Sequence, residues 1–127
     1  MTLRAISTAG APSALASYSP AIDTGQFVFL AGQIGLDPAT GQLAEGIEAQ
    51  VERAIRNLMS VLDAAGLTMS DVVKTTCFLA DINDFDAFNA VYARFVGDPP
   101  PARSTFAVAA LPRGALIEIE AIAARTG

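Results

Sequence analysis

The sequence predicts an α+β domain, a mixed β-sheet with two helices packed on one of its faces. Three observations carry that expectation. Residues 45 to 66 repeat apolar side chains at helical spacing, and residues 84 to 96 repeat aromatic ones the same way. The other apolar segments are short, rich in β-branched or aromatic residues, and bounded by glycine, proline and aspartate. With 127 residues, no internal repeat and no linker, a single domain spanning 1–127 is expected.

In chain order, a first strand is expected near residues 2 to 7, followed by strands at 18 to 23 and 26 to 33 joined by an Asp23-Thr24-Gly25 hairpin turn. Asp37-Pro38-Ala39-Thr40-Gly41 reads as a longer polar turn. Ile47, Val51, Ala54, Ile55, Leu58, Leu62 and Ala65 then share one helical face, and Gly66 stops the helix. Glu52 can pair with Arg56 one turn later. A strand at 72 to 80 leads to the second helix, with Asn83 or Asp84 as N-cap and Phe85, Phe88, Tyr92 and Phe95 as its buried stripe. Strands at 102 to 111 and 115 to 124 close the chain, joined by Leu111-Pro112-Arg113-Gly114.

Alternation places Ile117, Ile119, Ala121 and Ala123 on one side of the last strand and Leu116, Glu118, Glu120 and Ile122 on the other. If the first set faces the helices, the second is a mixed apolar and acidic surface suited to another subunit. Composition points the same way, because 52% apolar and only 17% charged residues are few charges for a small domain's surface.

The absence of histidine excludes Ser-His-Asp and Cys-His catalysis and His-ligated metals. A single cysteine excludes an internal disulfide, and Cys77, with no histidine to activate it, reads as a buried thiol. The net charge is −5, and the seven arginines and Lys74 are scattered, so nucleic acid is not an expected partner. No apolar run approaches the ~20 residues of a membrane span, and the N-terminus lacks a signal-peptide core, so a cytoplasmic protein is expected. Lys74 reads as a solvated lysine beside Asp71. The pair best suited to chemistry is Arg103 and Glu118: a guanidinium can clamp a carboxylate, and a glutamate can orient or deprotonate water.

Five blocks in order resemble the RidA (YjgF-like) enamine/imine deaminases. They are Ala11-Pro12 with Tyr18; Gly32-Gln33-Ile34 with Asp37-Pro38 and Thr40-Gly41; Val73-Lys74-Thr75-Thr76; and Asp81-Ile82-Asn83-Asp84-Phe85 leading to Asn89 and Tyr92. The fifth is Pro101-Ala102-Arg103-Ser104-Thr105-Phe106 with Leu111-Pro112 and Ile117-Glu118-Ile119-Glu120-Ala121. The resemblance implies a chorismate-mutase-like fold and a cytoplasmic homotrimer with a β-barrel-like centre and sites at the subunit interfaces. It implies hydrolysis of 2-enamino and 2-imino acids, such as 2-aminoacrylate, 2-iminopropanoate and 2-iminobutanoate, to 2-oxo acids and ammonia, a metabolite damage-control role that uses no cofactor and no metal. By position, Arg103 would clamp the substrate carboxylate and Glu118 would position the attacking water, while Tyr18, Gly32, Asn89 and Thr105 would line the pocket.

Three departures from the family pattern stand out. Thr105 stands where many members have cysteine, Ala16-Ser17 where Gly-Pro is common before Tyr18, and Ala31 where serine is common before Gly32. They bear on substrate range more than on fold. Other readings compatible with the resemblance are a non-catalytic trimer sensing a 2-oxo acid or amino acid, and a pathway-specific deaminase of the aminomuconate type. Ribonuclease activity fits an acidic chain poorly, and chorismate mutase has little support in the motifs. If residues 111 to 114 make a hairpin, Glu118 lies opposite Val108, about 16 Å along the strand from Arg103 at ~3.3 Å per residue. One small substrate cannot reach both, so the two residues of a site are expected to come from neighbouring chains.

Overall fold

A computed structural model describes residues 3–14 and 17–125. The ends of the 1–127 span, Thr2 of the expected first strand and Ala16 lie outside the described residues. Six strands form one sheet: β1 (Arg4–Ile6), β2 (Ala21–Asp23), β3 (Phe27–Ile34), β4 (Val72–Leu79), β5 (Ala102–Ala107) and β6 (Ile117–Ala124). Helices α1 (Ile47–Ala64) and α2 (Phe85–Tyr92) pack on one face. The strand order is β1-β2-β3-β6-β4-β5, antiparallel throughout except for the parallel pair β4 and β5.

This order corrects one expectation. Strands β5 and β6 are not hairpin partners, because β4 lies between them. The sheet residues of β5 end at Ala107, the segment Pro112–Gly114 is a 3-10 turn, and β6 returns through the centre of the sheet. The physical reason is burial: Ile117, Ile119, Ala121 and Ala123 are all buried on the helix-covered side, and so regular an apolar face is best used beneath α1. Leu116, Glu118 and Ile122 are half-buried on the opposite side, as the alternation predicts, and Glu120 is exposed there.

Local chemistry explains the helix ends. Gly66 is left-handed at φ 78°, and the Leu67 N–H closes the turn on the Leu62 carbonyl. Asp84 does precede α2, but its side chain makes no capping bond; Asp81 caps a 3-10 turn (Ile82–Asp84) ahead of the helix by accepting from the Asn83 N–H. In the stripe of α2, Phe88 and Tyr92 are buried, whereas Phe85 and Phe95 are only partly so. The expected Glu52–Arg56 pair is present at 3.0 Å.

Polar groups tie the layers together. Asp23 accepts from Arg125 at 2.6 Å and from Arg4 at 3.0 Å, joining the first and last strands, and these two guanidinium groups with the Gly25 N–H hold its carboxyl well below the usual range. From α1, the buried Asn57 donates to the carbonyls of Ile34 and Leu36, and the buried Gln50 accepts from the Leu116 N–H. The chain at Gly35 runs against α1 so closely that a Cβ there would lie 2.7 Å from the Gln50 backbone, and any side chain would clash.

Candidate active site

Helix α2 and the edge strand β5 build the first group of site residues. Phe85, Phe88, Asn89 and Tyr92 recur at three- and four-residue spacing, so they share the side of α2 turned toward the sheet. Arg103 on β5 is in register with Thr75 on β4, whose hydroxyl hydrogen-bonds the Tyr92 hydroxyl at 2.7 Å beneath α2. The Arg103 guanidinium donates to Asn89 Oδ1 at 2.8 Å and lies over three rings, 4.8 Å from the centre of Tyr92, 5.4 Å from Phe88 and 5.6 Å from Phe85. Such ring faces hold a cation without neutralising it. Among the described residues no carboxylate is ion-paired with Arg103. Its side chain borders a cleft of about 400 Å³ with Asn89, Tyr92 and Pro101.

Thr105, two residues along β5, turns to the same side, level with Cys77. Its Oγ1 is enclosed and has no hydrogen-bond partner among the described residues. Cys77 is buried, and burial pushes its thiol up to about 11, which leaves it unreactive at neutral pH. Lys74 is half-buried; its ammonium donates to the Ser104 hydroxyl at 2.9 Å.

The second group lies on the open face of the sheet. Glu118 of β6 borders a cleft of about 230 Å³ with Tyr18, Gly32, Ile34, Leu36 and Arg113. Gly32 belongs to a β-bulge, since the register with β6 passes from Leu30↔Ala121 to Gln33↔Ile119 with one extra residue on β3. That bulge and the missing side chain make room for Glu118, because a Cβ at position 32 would collide with its carboxylate. Ala31, also in the bulge, is half-buried. Burial, and then the charge of Glu120, push the Glu118 carboxyl above its ordinary value.

Asn89, Arg103 and Thr105 therefore share one side of the sheet, and Tyr18, Gly32 and Glu118 share the other. Within one chain the two groups do not meet. Through Phe78, Glu118 is level with Phe106, not Val108, and three residues from Arg103. Two strand spacings and three residues put the backbones of Arg103 and Glu118 roughly 14 Å apart, with side chains pointing to opposite faces. Sequence reasoning missed the ring cage around Arg103 and the place of Arg113 beside Glu118. The spacing of the α2 aromatics hints at the cage, but nothing local reveals Arg113.

Among the described residues no cluster of three or more acidic, cysteine or histidine side chains is arranged to hold a metal. No helix among them is long and apolar enough to cross a membrane.

Residues 8–125 match the family described as Endoribonuclease L-PSP. The human 2-iminobutanoate/2-iminopropanoate deaminase is 46% identical over 121 residues, which cover 94% of this chain and 88% of that protein. Protein DfrA of Myxococcus xanthus is 49% identical over 126 residues, covering 97% and 96%. The crystal structure of Escherichia coli TdcF with bound serine matches at a TM-score of 0.92 and 38% identity, covering 97% of this chain and 99% of that one.

Proposed function

Because this chain belongs to the Endoribonuclease L-PSP family, and RidA and YjgF proteins are among its structural relatives, we propose that it is an enamine/imine deaminase that hydrolyses 2-imino acids to 2-oxo acids and ammonia. The observation that carries this reading is Arg103, a half-buried guanidinium held by three rings and an amide, with its charge left for a ligand. A planar, bidentate donor of that kind fits the carboxylate shared by every 2-imino acid. The human relative's name states the same substrate class.

In the proposed reaction an enamine first tautomerises to the imine, whose carbon is already electrophilic. Arg103 fixes the carboxylate. Glu118 accepts a proton from water as the water oxygen bonds to C2, and the C=N π pair passes to nitrogen, which takes up a proton. The C–N bond of the resulting carbinolamine then breaks: nitrogen leaves as ammonia, the hydroxyl loses its proton, and the 2-oxo acid remains. The sequence of steps is redox-neutral, consumes one water, and requires no cofactor or metal.

The separation of Arg103 and Glu118 on opposite faces supports a site shared between copies. In that arrangement, which we extend to a homotrimer, a neighbouring subunit covers the open face, where Phe29 and Phe106 are each 46% exposed. The acidic charge of the chain, −5, argues against the ribonuclease activity that the family's description names. One observation favours a second reading, a sensor of amino or 2-oxo acids: the related TdcF holds serine.

The test generates 2-iminobutanoate with a threonine dehydratase and follows 2-oxobutanoate formation, with semicarbazide competing for the imine. Wild type is expected to accelerate ketoacid formation and lower semicarbazone yield, and Arg103→Ala to do neither. Folded wild type that binds 2-oxobutanoate without acceleration would replace the enzyme reading by the sensor.

A further inference from the structure

Arg113 stands beside the Glu118 cleft without any role in the imine hydrolysis proposed for Arg103 and Glu118. Its backbone is left-handed, at φ 61° and ψ 18°, a conformation disfavoured for any residue with a Cβ. One guanidinium N–H donates to the Gly41 carbonyl at 3.0 Å, which fastens the turn at 112–114 to the polar loop at 37–41. Among the described residues it has no other side-chain hydrogen bond and no ion pair, so most of its five donors are uncommitted.

The cleft has a graded lining. Glu118 borders it, the walls include the apolar side chains of Pro12, Ile34, Leu36 and Pro112, and the exposed Arg113 completes the rim. Glu118 and Arg113 are not ion-paired, so neither cancels the other. A ligand that places its reacting carbon at Glu118 and runs a short chain along the apolar wall would bring the chain's end to a guanidinium. We propose that Arg113 is a specificity-determining residue forming a second anion subsite, so that the substrates include 2-imino acids bearing a second carboxylate on a short side chain. Arg103 of one copy would then hold the carboxylate next to the imine, and Arg113 of its neighbour the distal one. This rests on the deaminase reading for its chemistry, whereas the subsite itself is a statement about binding.

Two imines made in situ by amino acid oxidases, 2-iminoglutarate and 2-iminobutanoate, test it through the ratio of their kcat/KM values. An attraction at an exposed rim is worth about a fivefold preference. Arg113→Ala should lower the dicarboxylate-to-monocarboxylate ratio about fivefold, chiefly through KM, and Arg113→Lys should restore part of it. Arg113→Gly, which suits the left-handed turn, should behave as Arg113→Ala does and so separate loss of charge from a rearranged loop. An unchanged ratio in both truncations overturns the subsite.

If wild type accelerates neither imine, the deaminase reading fails and calorimetry with 2-oxoglutarate and 2-oxobutanoate decides the subsite alone. A roughly fivefold loss of affinity for 2-oxoglutarate only, in Arg113→Gly, supports it. Equal losses, no loss, or no binding of 2-oxoglutarate to wild type overturns it.

Discussion

The two faces of the sheet hold their candidate site side chains in different ways. On the helix-covered face, Arg103 is held by its own chain: rings from α2 and the Asn89 amide surround its guanidinium, above the buried Thr75–Tyr92 bond. On the open face, Glu118 owes its place to a bulge, a missing Cβ at Gly32 and walls that end in solvent. In the proposed shared site, one face would supply a half already held by its own chain and the other a half that a neighbour would cover. Under the proposed mechanism, a fold that separates Arg103 from Glu118 in this way would make assembly a condition of activity.

The largest effect expected follows from that division. Arg103→Ala and Glu118→Gln should each reduce kcat/KM by about a hundredfold or more, the usual scale for losing a charged anchor or an acid–base group. If sites are shared, dissociating and reassembling an equal mixture of the two inactive variants should restore roughly a quarter of the wild-type sites, since each restored site needs one intact residue from each kind of chain. No recovery in a mixture shown by mass to contain hybrid oligomers would mean that each chain builds its own site, and the comparison of faces would lose its functional meaning.

What could be read from residues alone follows the same boundary. The stripe of α1 from Ile47 to Ala65, the stop at Gly66 and the two faces of β6 are local periodicities, and the structure has them. Partner choice in the sheet is not local. Leu111 to Gly114 has the composition of a hairpin turn, yet β5 pairs in parallel with β4 and leaves β6 to the centre, because the pairing is set by how α1 and α2 cover the sheet. The bulge at Ala31 and Gly32 escapes for a similar reason: it shifts the alternation of β3 so that Gln33 is buried, which no rule of strand composition anticipates. Arg113 is the plainest omission, since its left-handed backbone and its tie to Gly41 arise from two distant turns meeting. Arg103 and Glu118 stand out in the sequence as a candidate pair by residue type, but their placement on opposite faces follows from topology.

An intermediate effect tests what links the faces. Asn57 and Gln50 reach from α1 to Ile34, Leu36 and Leu116, and Ile34 and Leu36 are walls of the Glu118 cleft. Asn57→Leu keeps the branched shape but takes the donor from the buried Leu36 carbonyl and leaves the Ile34 carbonyl with the Leu36 N–H, and should lower unfolding free energy by about 1–3 kcal/mol in a denaturant titration. Gln50→Leu, which leaves the half-buried Leu116 N–H without its acceptor, should fall at the lower end of that range. If both variants unfold like wild type, the cleft walls are held by packing alone.

The smallest effect has the most informative sign. Burial and the neighbouring Glu120 raise the Glu118 carboxyl above its ordinary value, so folding favours the protonated form and the charged form is a burden on the fold at neutral pH. The stabilising contribution of this group is complete below the unfolded-state value, near the ordinary carboxylate range, and is lost as pH rises through the raised folded-state value. Glu118→Gln removes the charge at every pH. It should therefore melt above wild type at pH 7, and the gap should close as the pH falls below the ordinary carboxylate range, where both proteins carry a neutral group at 118. Arg103→Ala, which strips a cation from its ring cage, should melt below wild type at neutral pH instead. Opposite signs, in two substitutions that each also lower activity, would show that the helix-covered face gains stability from Arg103, while the open face bears the charge of Glu118 at a cost to the fold.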